Sequence, residues 1–292
     1  MNKTEPRVSI GMPVYNGENF IRDALDSLLA QTYKDFELII SDNASTDLTE
    51  EICQKYAIKD QRIRYYRNKE NIGPTRNYNQ AFELSRGEYF KWAAHDDVCA
   101  PRFLERCVEA LDQNPSVVLS HPKTTIIDES GKFVRNQDDV RSAEELKPLD
   151  RYRSIIYECE CYQVFGLIRS SILKKTDLIE PYAHGDGVLL AKLALLGRFI
   201  EIDEHLFFNR EHPKMSTVIA KNKNHLYTAW FDPAKKGKVT FPYWRISKEY
   251  YGAITSEASL DWQEKLWCYW HLAIWLRTRS HYLFNDLLRL LK

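Results

Sequence analysis

The sequence lacks the hallmarks of several large protein classes. No apolar run among the 292 residues approaches the roughly twenty that a membrane-spanning helix needs. The first strand-like segment begins by Val8, which leaves no room for a signal peptide, so we expect a cytoplasmic location. Lysine and arginine number 41 and are balanced by 41 acidic residues, so no overall field favours nucleic acid as a partner.

Cysteine motifs and glycine-rich nucleotide loops are also missing. None of the six cysteines forms the C-x-x-C spacing of zinc or redox sites, and a disulfide between Cys159 and Cys161 would be strained, so we expect free thiols. Neither G-x-G-x-x-G nor G-x-x-x-x-G-K-S/T occurs. The sequence therefore argues against a dehydrogenase of the Rossmann type and against a P-loop phosphotransferase.

The first 120 residues alternate between strand-like and helix-like segments, which is typical of a mostly parallel sheet covered by helices on both faces. With 44% hydrophobic residues, the chain can form one large α/β domain and a helical appendage. The pattern predicts strands at Val8–Met12, Phe36–Ser41, Ile63–Arg67, Tyr89–Ala93 and Val117–His121. It also predicts a hairpin at Thr124–Val134 and helices at Ile21–Leu29, Pro74–Leu84 and Leu149–Tyr157. A further helix is predicted from Val188, after His184 and Gly185, with Gly197 at its end.

Three helix ends have recognisable signals. Asp47 and Glu50 have the spacing of a capping box. Pro101 fits the first position of a helix, which would make Ala100 its cap and leave the preceding aspartates free for another role. Gly197 is placed as a glycine that ends a helix in a left-handed conformation.

The segment from Trp262 to Leu291 is helical in pattern and rich in tryptophan, tyrosine and leucine. Such a segment usually packs on the main domain or on a second subunit. Its aromatic residues accompany Arg277, Arg279, Arg289 and Lys292, a combination that also suits an anionic membrane surface. Both interpretations remain open from the sequence.

Ligands of open α/β sheets bind at the carboxyl ends of the strands, so the residues that follow each strand are informative. The first predicted strand is followed by Pro13–Gly17, the second by Asp42–Asp47, and the fourth by Ala94–Asp97. Acidic side chains thus follow two different strands.

The segments Val8–Asn16, Ser41–Asp47, Asn71–Asn79 and His95–Pro101 together resemble the family 2 glycosyltransferases of the GT-A fold. The resemblance covers roughly residues 8–215 and implies an α/β GT-A domain over 1–215, with a mostly parallel sheet flanked by helices. Residues 1–121 would be the nucleotide-binding half, residues 122–215 the acceptor and catalytic half, and residues 216–292 a mainly helical extension.

The resemblance also implies a reaction. The chain would transfer a hexosyl or N-acetylhexosaminyl group from a nucleoside-diphosphate sugar, with UDP as the expected carrier, to a hydroxyl of a glycan or lipid-linked acceptor. Such work belongs to polysaccharide biosynthesis, in the cytoplasm or at the inner face of the membrane.

Donor-binding residues are carried over position by position. Asp42 can accept a hydrogen bond from N3 of uracil, and Tyr15 can stack on the base. Alternatively, Asp42 forms a turn and Arg76 is a solvated helix residue. The residues implied for the donor are Pro13, Val14, Tyr15, Asn16, Asp42, Arg76, His95 and Asp96.

The acidic pair Asp96 and Asp97 matches the metal-binding position of the family, with Asp96 as the ligand and Ala94 in place of the first acid of that motif. A hard divalent cation, Mn²⁺ or Mg²⁺, would stabilise the diphosphate as it leaves. His212 resembles a family histidine that completes the metal site; the alternative is a solvated loop histidine.

Asp186 matches the family acid that deprotonates the acceptor hydroxyl, although Gly185 stands where the family usually has glutamate. A carboxylate is ionised at neutral pH and can take this proton. Direct displacement by the acceptor implies inversion at the anomeric carbon. The alternative for Asp186 is an acid that stabilises a helix N-terminus.

Two functions other than sugar transfer are alternatives. A sugar nucleotidyltransferase shares a similar sheet but needs a glycine-rich loop after the first strand, which is absent here. A catalytically inactive nucleotide-sugar-binding module is favoured only by Ala94 and Gly185, and the aspartates 96 and 186 argue against it.

Overall fold

A computed structural model of the chain describes residues 5–137, 143–157, 160–213, 215 and 240–288. Every strand predicted from the sequence is present within a few residues of its predicted bounds. The strands are β1 (Val8–Val14), β2 (Phe36–Asp42), β3 (Ile63–Arg67), β4 (Tyr89–Trp92), β5 (Val98–Cys99), β6 (Val117–Ile127), β7 (Phe133–Gln137), β8 (Leu167–Arg169) and β9 (Arg198–Arg210).

The predicted helices are also confirmed, and they alternate with the strands in the first half of the chain. The helices are α1 (Ile21–Leu29), α2 (Thr49–Lys59), α3 (Pro74–Glu83), α4 (Phe103–Gln113), α5 (Pro148–Tyr157), α6 (Ser170–Leu173), α7 (Gly185–Leu196), α8 (Pro242–Ser256), α9 (Trp262–Thr278) and α10 (Ser280–Leu288).

The strands form one sheet in the order β3-β2-β1-β4-β8-β6-β9-β5, with β7 paired to β6. The pairs from β3 to β4 are parallel, as is β6 with β9, whereas β8 is antiparallel to both of its neighbours. The predicted α/β fold is therefore confirmed. Parallel β1 to β4 end along one edge of the sheet, which brings the loops after them together.

Two apolar clusters cover the two faces of this sheet. On β4, Tyr89 belongs to the cluster under α1, α2 and α4, whereas Phe90 and Trp92 belong to the cluster under α5 and α7. This alternation follows from the two-residue period of a strand. The predicted boundary at residue 121 falls inside β6, so the sheet runs without interruption between the two predicted halves.

Of the three predicted helix-end signals, the caps of α2 and α4 are wrong, whereas Gly197 ends α7 as predicted but in another conformation. Helix α2 begins after Leu48 without a side-chain cap, because Asp47 accepts from the backbone of Glu18 and Thr49, and Glu50 pairs with Arg67. Two further ends differ from their predictions. Helix α4 begins only at Phe103, after Arg102. Gly197 is extended rather than left-handed, and it is needed because a Cβ there would lie 2.2 Å from Val118 Cγ1.

The C-terminal helices α8 and α9 pack on α5 and α7, so they share the core of the second half of the sheet. Leu272 and Trp275 are buried in this packing. Among the described residues, no helix is both long and apolar enough to cross a bilayer. The predicted participants Arg289, Leu290 and Lys292, like Cys159, lie outside the described residues. The described cysteines are buried thiols, as predicted.

Candidate active site

The loops that follow β1 and β2 are joined into one surface by hydrogen bonds. The backbone N–H of Asn43 donates to the carbonyl of Val14 over 2.8 Å. The Asn16 side chain accepts from the N–H of Thr46 over 2.8 Å, and the Asn16 N–H donates to Ser45 Oγ over 3.0 Å. Asn16 itself is left-handed, with a φ of 53°. These three hydrogen bonds fix the shape of the predicted nucleoside surface.

The predicted donor residues lie along this edge but differ in access. Pro13 and Val14 are buried as the last residues of β1, whereas the Tyr15 side chain is 45% exposed. Arg76 is exposed on the first turn of α3, which agrees with the alternative of a solvated helix residue. Tyr15, Asn16 and Arg76 are thus the exposed residues of this group, which a ligand can reach from solvent.

Asp42 is fully buried at the end of β2, and both of its carboxylate oxygens are used. Oδ1 accepts from the N–H of Ser45 over 2.9 Å, and Oδ2 accepts from the Tyr65 hydroxyl over 2.6 Å. Arg67 Nε lies 3.6 Å from the same carboxylate. The turn-forming role that the sequence left open is therefore present. A carboxylate has about four lone-pair sites, so further bonds to it remain chemically available.

Asp96 and His212 come together at the end of β4, although 116 residues separate them. His212 Nε2 lies 2.9 Å from Asp96 Oδ2, and the His212 side chain is only 7% exposed, which excludes a solvated loop histidine. Burial raises the pKa of Asp96, but the hydrogen bond to His212 and the nearby His95 outweigh it, so the pKa is lowered overall. The His95 ring packs against Gly17, where a Cβ would lie 2.6 Å from His95 Cδ2.

Asp97, the second member of the acidic pair, is buried behind Asp96 and bonds to β9, so it does not cap a helix. Its Oδ1 accepts from the N–H of Arg210 over 2.9 Å and from the Asn209 side chain over 3.0 Å. Burial and the adjacent Asp96 raise the pKa of the Asp97 carboxyl. The Arg210 guanidinium donates to the carbonyl of Asp96 over 2.9 Å. The end of β9 therefore holds both members of the acidic pair in place.

Asp186 lies at the start of α7 and is partly exposed. Its Oδ1 accepts from the N–H of Gly187 over 2.9 Å. Among the described residues, Cys161, His184 and Asp186 form a group of three potential metal ligands, with ligand atoms within 4.8 Å of one another. Gly185 has no space for a larger residue, because a Cβ there would lie 2.4 Å from the carbonyl oxygen of Glu180. This contact explains the absence of glutamate at that position.

Tyr78 lies close enough to the acidic pair and to Asp186 for their charges to affect its hydroxyl. It lies on α3, whose position is fixed by the Trp92 indole N–H, which donates to the Tyr78 carbonyl over 2.9 Å. Burial raises the pKa of the Tyr78 hydroxyl, and the carboxylates of Asp96, Asp97 and Asp186 raise it further. The charges of both halves of the predicted site therefore act on one hydroxyl group.

The sequence profile of the family described as glycosyl transferase family 2 matches residues 9–176 of the chain. This segment is more than half of the chain and contains the loops after β1, β2 and β4. The chain belongs to glycosyltransferase family 2. Sugar transfer from a nucleotide-sugar donor is thus its reaction class.

Relatives and solved structures agree with this membership. An uncharacterized glycosyltransferase of Rickettsia typhi is 32% identical over 244 residues, which are 80% of this chain and 74% of the relative. Residues 1–349 of S. aureus TarS in complex with UDP-GlcNAc match with a TM-score of 0.70 and 20% identity, over 97% of this chain and 75% of that one.

A second structure is more distant. The mannosyltransferase PcManGT from Pyrobaculum calidifontis, in complex with GDP-Man and Mn²⁺, matches with a TM-score of 0.55 and 17% identity. The match covers 96% of this chain and 76% of the PcManGT chain. At these identities the two structures show a shared fold, and they confirm the predicted GT-A architecture.

Several residues around the site of this family 2 glycosyltransferase were missed from the sequence. Asn77 on α3 donates to the carbonyl of Ser41 and accepts from its hydroxyl, each over 2.7 Å, which ties α3 to the end of β2. Asn43 accepts from the N–H of Ile72 over 2.9 Å. Tyr78 and Arg210 were missed as well. The segments that contain them were recognised, but no sequence pattern distinguished these side chains from their neighbours.

Proposed function

We propose that the chain transfers a sugar from a UDP-sugar to a hydroxyl of a glycan or lipid-linked acceptor, with inversion at the anomeric carbon. The observation that carries the proposal is the buried contact of Asp96 with His212, 2.9 Å apart, at the end of the strand where the family places its metal site. A donor diphosphate needs compensation of its negative charge, and an acceptor hydroxyl needs a base. Asp96 with His212 would supply the first, through a bound cation, and Asp186 at the start of α7 would supply the second.

The nucleoside would occupy the joined loops after β1 and β2. We assign stacking on the base to the exposed Tyr15, and recognition of uracil N3–H to a free lone pair of Asp42. Pro13, Val14 and Asn16 would shape the backbone of this pocket, and His95 would form its side towards the diphosphate. Arg76, exposed at the start of α3, would approach the phosphates from solvent.

Asp96 and His212 fit a divalent cation. Neighbouring ligands of an octahedral ion, each ~2.1 Å from it, lie about 3 Å apart. The carboxylate oxygen and the imidazole nitrogen already have this spacing, at 2.9 Å. Mn²⁺ or Mg²⁺ bound there would offset the negative charge that builds on the departing diphosphate. The ligand set, one carboxylate and one imidazole, suits Mn²⁺ in particular.

Asp186 is the proposed base. Its carboxylate takes the proton of the acceptor hydroxyl while the acceptor oxygen forms a bond to the anomeric carbon. The bond from that carbon to the β-phosphate oxygen breaks, and its electron pair leaves with the nucleoside diphosphate. Attack from the face opposite the leaving group inverts the configuration.

The experiment begins with a panel of nucleotide sugars tested by thermal shift and by release of nucleoside diphosphate, with Mn²⁺ and with EDTA. Asp186→Asn keeps the size of the side chain but removes the base, so kcat should fall about a hundredfold with donor affinity unchanged. Asp177→Asn is the matched control, because Asp177 is exposed and pairs only with Lys192 among the described residues.

Each part of the proposal has its own contrary result. If no donor yields nucleoside diphosphate, the chain is an inactive binding module. Full turnover in EDTA excludes the metal, and full activity of Asp186→Asn excludes this base. Retention of configuration in the product, measured by NMR, excludes direct displacement.

A membrane-facing role for the C-terminal helices is also part of the proposal. Four large apolar side chains form the outer face of α9, with exposed fractions of 73% for Trp262, 60% for Leu266, 55% for Trp267 and 59% for Trp270. Between Lys265 and Asn285 the sequence has no acidic residue and contains Arg277 and Arg279. We favour an anionic lipid surface over a second subunit, because a symmetric contact would bring these like charges together.

Sedimentation with phosphatidylserine vesicles tests this contact. The full chain should sediment with anionic vesicles and stay in solution with neutral ones, and a variant with serine at Trp262, Trp267 and Trp270 should stay in solution with both. Size-exclusion chromatography is the companion measurement. A dimer that the triple variant converts to a monomer, without vesicle binding, would identify a subunit interface instead.

A further inference from the structure

The start of α7 has an unusual local structure around His184. This residue precedes the helix and has a left-handed backbone, with a φ of 67°. Its ring folds back over Gly187, where a Cβ would lie only 2.2 Å from His184 Nε2. A residue other than glycine is strained in this conformation, so its surroundings must hold it. The ring is thereby kept beside Asp186.

The group that holds the ring comes from the C-terminal helices. The hydroxyl of Tyr250 on α8 lies 3.0 Å from His184 Nε2. Tyr250 is fully buried, and its ring packs edge-on against Trp275 of α9 at 5.4 Å between centroids. Its carbonyl accepts from the Tyr152 hydroxyl over 3.3 Å. The position of this hydroxyl is therefore set by α5, α8 and α9 together.

The other ring nitrogen faces Cys161. His184 Nδ1 lies 3.9 Å from the sulfur of Cys161, which is also left-handed, with a φ of 63°. A ring nitrogen, the Cys161 sulfur and an Asp186 oxygen lie within 4.8 Å of one another. Two left-handed residues other than glycine thus place their side chains together next to the proposed base. Backbone strain of this kind concentrates at functional sites.

We propose that Tyr250 and His184 form a positioning pair for Asp186, in which the Tyr250 hydroxyl donates to Nε2 and leaves the ring hydrogen on Nδ1, directed at the Asp186 carboxylate. The proposal rests on Asp186 being the base. The N–H would orient the carboxylate and favour its ionised form. The C-terminal helices would then be part of the catalytic apparatus.

The charges around the ring are consistent with a neutral imidazole. Burial lowers the pKa of His184, the Asp186 carboxylate opposes this, and Arg279 at the end of α9 lowers the pKa further. Two further titratable groups, Cys161 and Tyr250, also contact the ring. A neutral ring has only one N–H hydrogen, so the hydrogen bond made at Nε2 decides which nitrogen carries it.

The decisive variant is Tyr250→Phe, which removes one hydroxyl and keeps the aromatic packing. Tyr251→Phe is the matched control, because the neighbouring Tyr251 is 55% exposed and its ring stacks on Tyr269 of α9. We expect kcat to fall about three- to tenfold in Tyr250→Phe, as for the loss of one hydrogen bond, with KM for the donor unchanged. The acid limb of the kcat profile should also move to higher pH. The control should behave as the unmodified protein.

His184→Asn is the second variant, because asparagine tolerates the left-handed conformation but is too short to reach Tyr250. It should lower kcat at least as much as Tyr250→Phe. An activity-independent measurement uses ¹⁵N-labelled histidine and NMR, with His184→Asn to assign the signal. The ring of the unmodified protein should carry its hydrogen on Nδ1, and Tyr250→Phe should give a mixture of tautomers.

Several results would overturn the pairing. One is a lower melting temperature in Tyr250→Phe with unchanged kcat and an unchanged pH profile, which indicates a structural bond only. Another is hydrogen on Nε2 in the NMR spectrum. Stoichiometric zinc that is lost in His184→Asn would make the cluster a metal site. An unmodified protein without activity, or an active Asp186→Asn, contradicts the proposed function instead, and the tautomer measurement still decides the pairing.

Discussion

Replacement of Arg210 by lysine tests how β9 supports the acidic pair. The Arg210 side chain is 2% exposed and donates in three directions. It reaches the carbonyl of Asp96 over 2.9 Å, the carbonyl of Glu129 over 2.9 Å and the carboxylate of Asp23 over 3.0 Å. A lysine keeps the positive charge but cannot reproduce this planar fork. At most one of the three partners would keep its bond.

The expected magnitude follows from what each partner loses. Asp23 is 62% exposed and can turn to solvent, so its ion pair contributes less than about 1 kcal/mol. A hydrogen bond from a charged donor to a buried carbonyl contributes ~1.5–3 kcal/mol. With one carbonyl still bonded, Arg210→Lys should reduce the free energy of unfolding by about 2–4 kcal/mol. Release of the Asp96 backbone should also weaken metal-dependent donor binding about tenfold or more.

Urea unfolding and calorimetric titration with UDP, with and without Mn²⁺, measure the two effects. Arg135→Lys is the control, because Arg135 lies on the neighbouring β7 and pairs with Glu211 at a surface where both are more than 40% exposed. It should change stability by less than about 0.5 kcal/mol. If Arg210→Lys matches the control in both measurements, the reasoning that β9 positions Asp96 is refuted.

Two further substitutions test the first half of the sheet. In Asp42→Asn the one remaining oxygen can accept from the N–H of Ser45 and the amide nitrogen can donate to the Tyr65 hydroxyl oxygen, so the chain should stay folded. The amide nitrogen cannot accept from uracil N3–H, so UDP should bind at least tenfold more weakly; unchanged affinity would leave Asp42 with its turn role alone. Burial raises the pKa of Glu37, but bonds from Arg86, Ser9 and Arg64 outweigh it and lower the pKa overall. Its ionised form therefore stabilises the fold at neutral pH, and this contribution is lost as pH falls through the lowered pKa. Glu37→Gln should cost about 2 kcal/mol at pH 7, and the difference from the unmodified protein in urea unfolding should shrink below about pH 4; a constant difference would contradict this account.

The parts of the fold that could be predicted are those with a repeating local pattern. Strands β1 to β4 are runs of apolar residues between turn signals, so their positions were correct within two residues. In contrast, β5 has two residues and β8 has three, which is too short for a period. Their strand conformation comes from partners far along the chain, since β5 pairs with β9 and β8 pairs with β4 and β6.

The site was predictable where a motif lies at the end of a strand. Asp96 and His212 were expected as partners because their segments resemble family motifs, and their side chains lie 2.9 Å apart. The roles of Arg210 and Tyr250 depend on contacts between residues that are distant in sequence, such as the 3.0 Å approach of Tyr250 to His184. Helix caps failed for a related reason, because Asp47 binds the backbone of Glu18 in addition to that of Thr49.

The position of β8 between β4 and β6 has a consequence for engineering and for synthesis on the ribosome. A chain that has emerged only to residue 121 already contains β1 to β4. One edge of β4 stays unpaired until residues 167–169, which form β8, have been synthesised. An unpaired edge strand is a site of association with other chains. Nascent chains of this length should therefore need protection by chaperones. For the same reason, chimeras that exchange donor specificity should carry β8 and the end of β9 along with the first 121 residues.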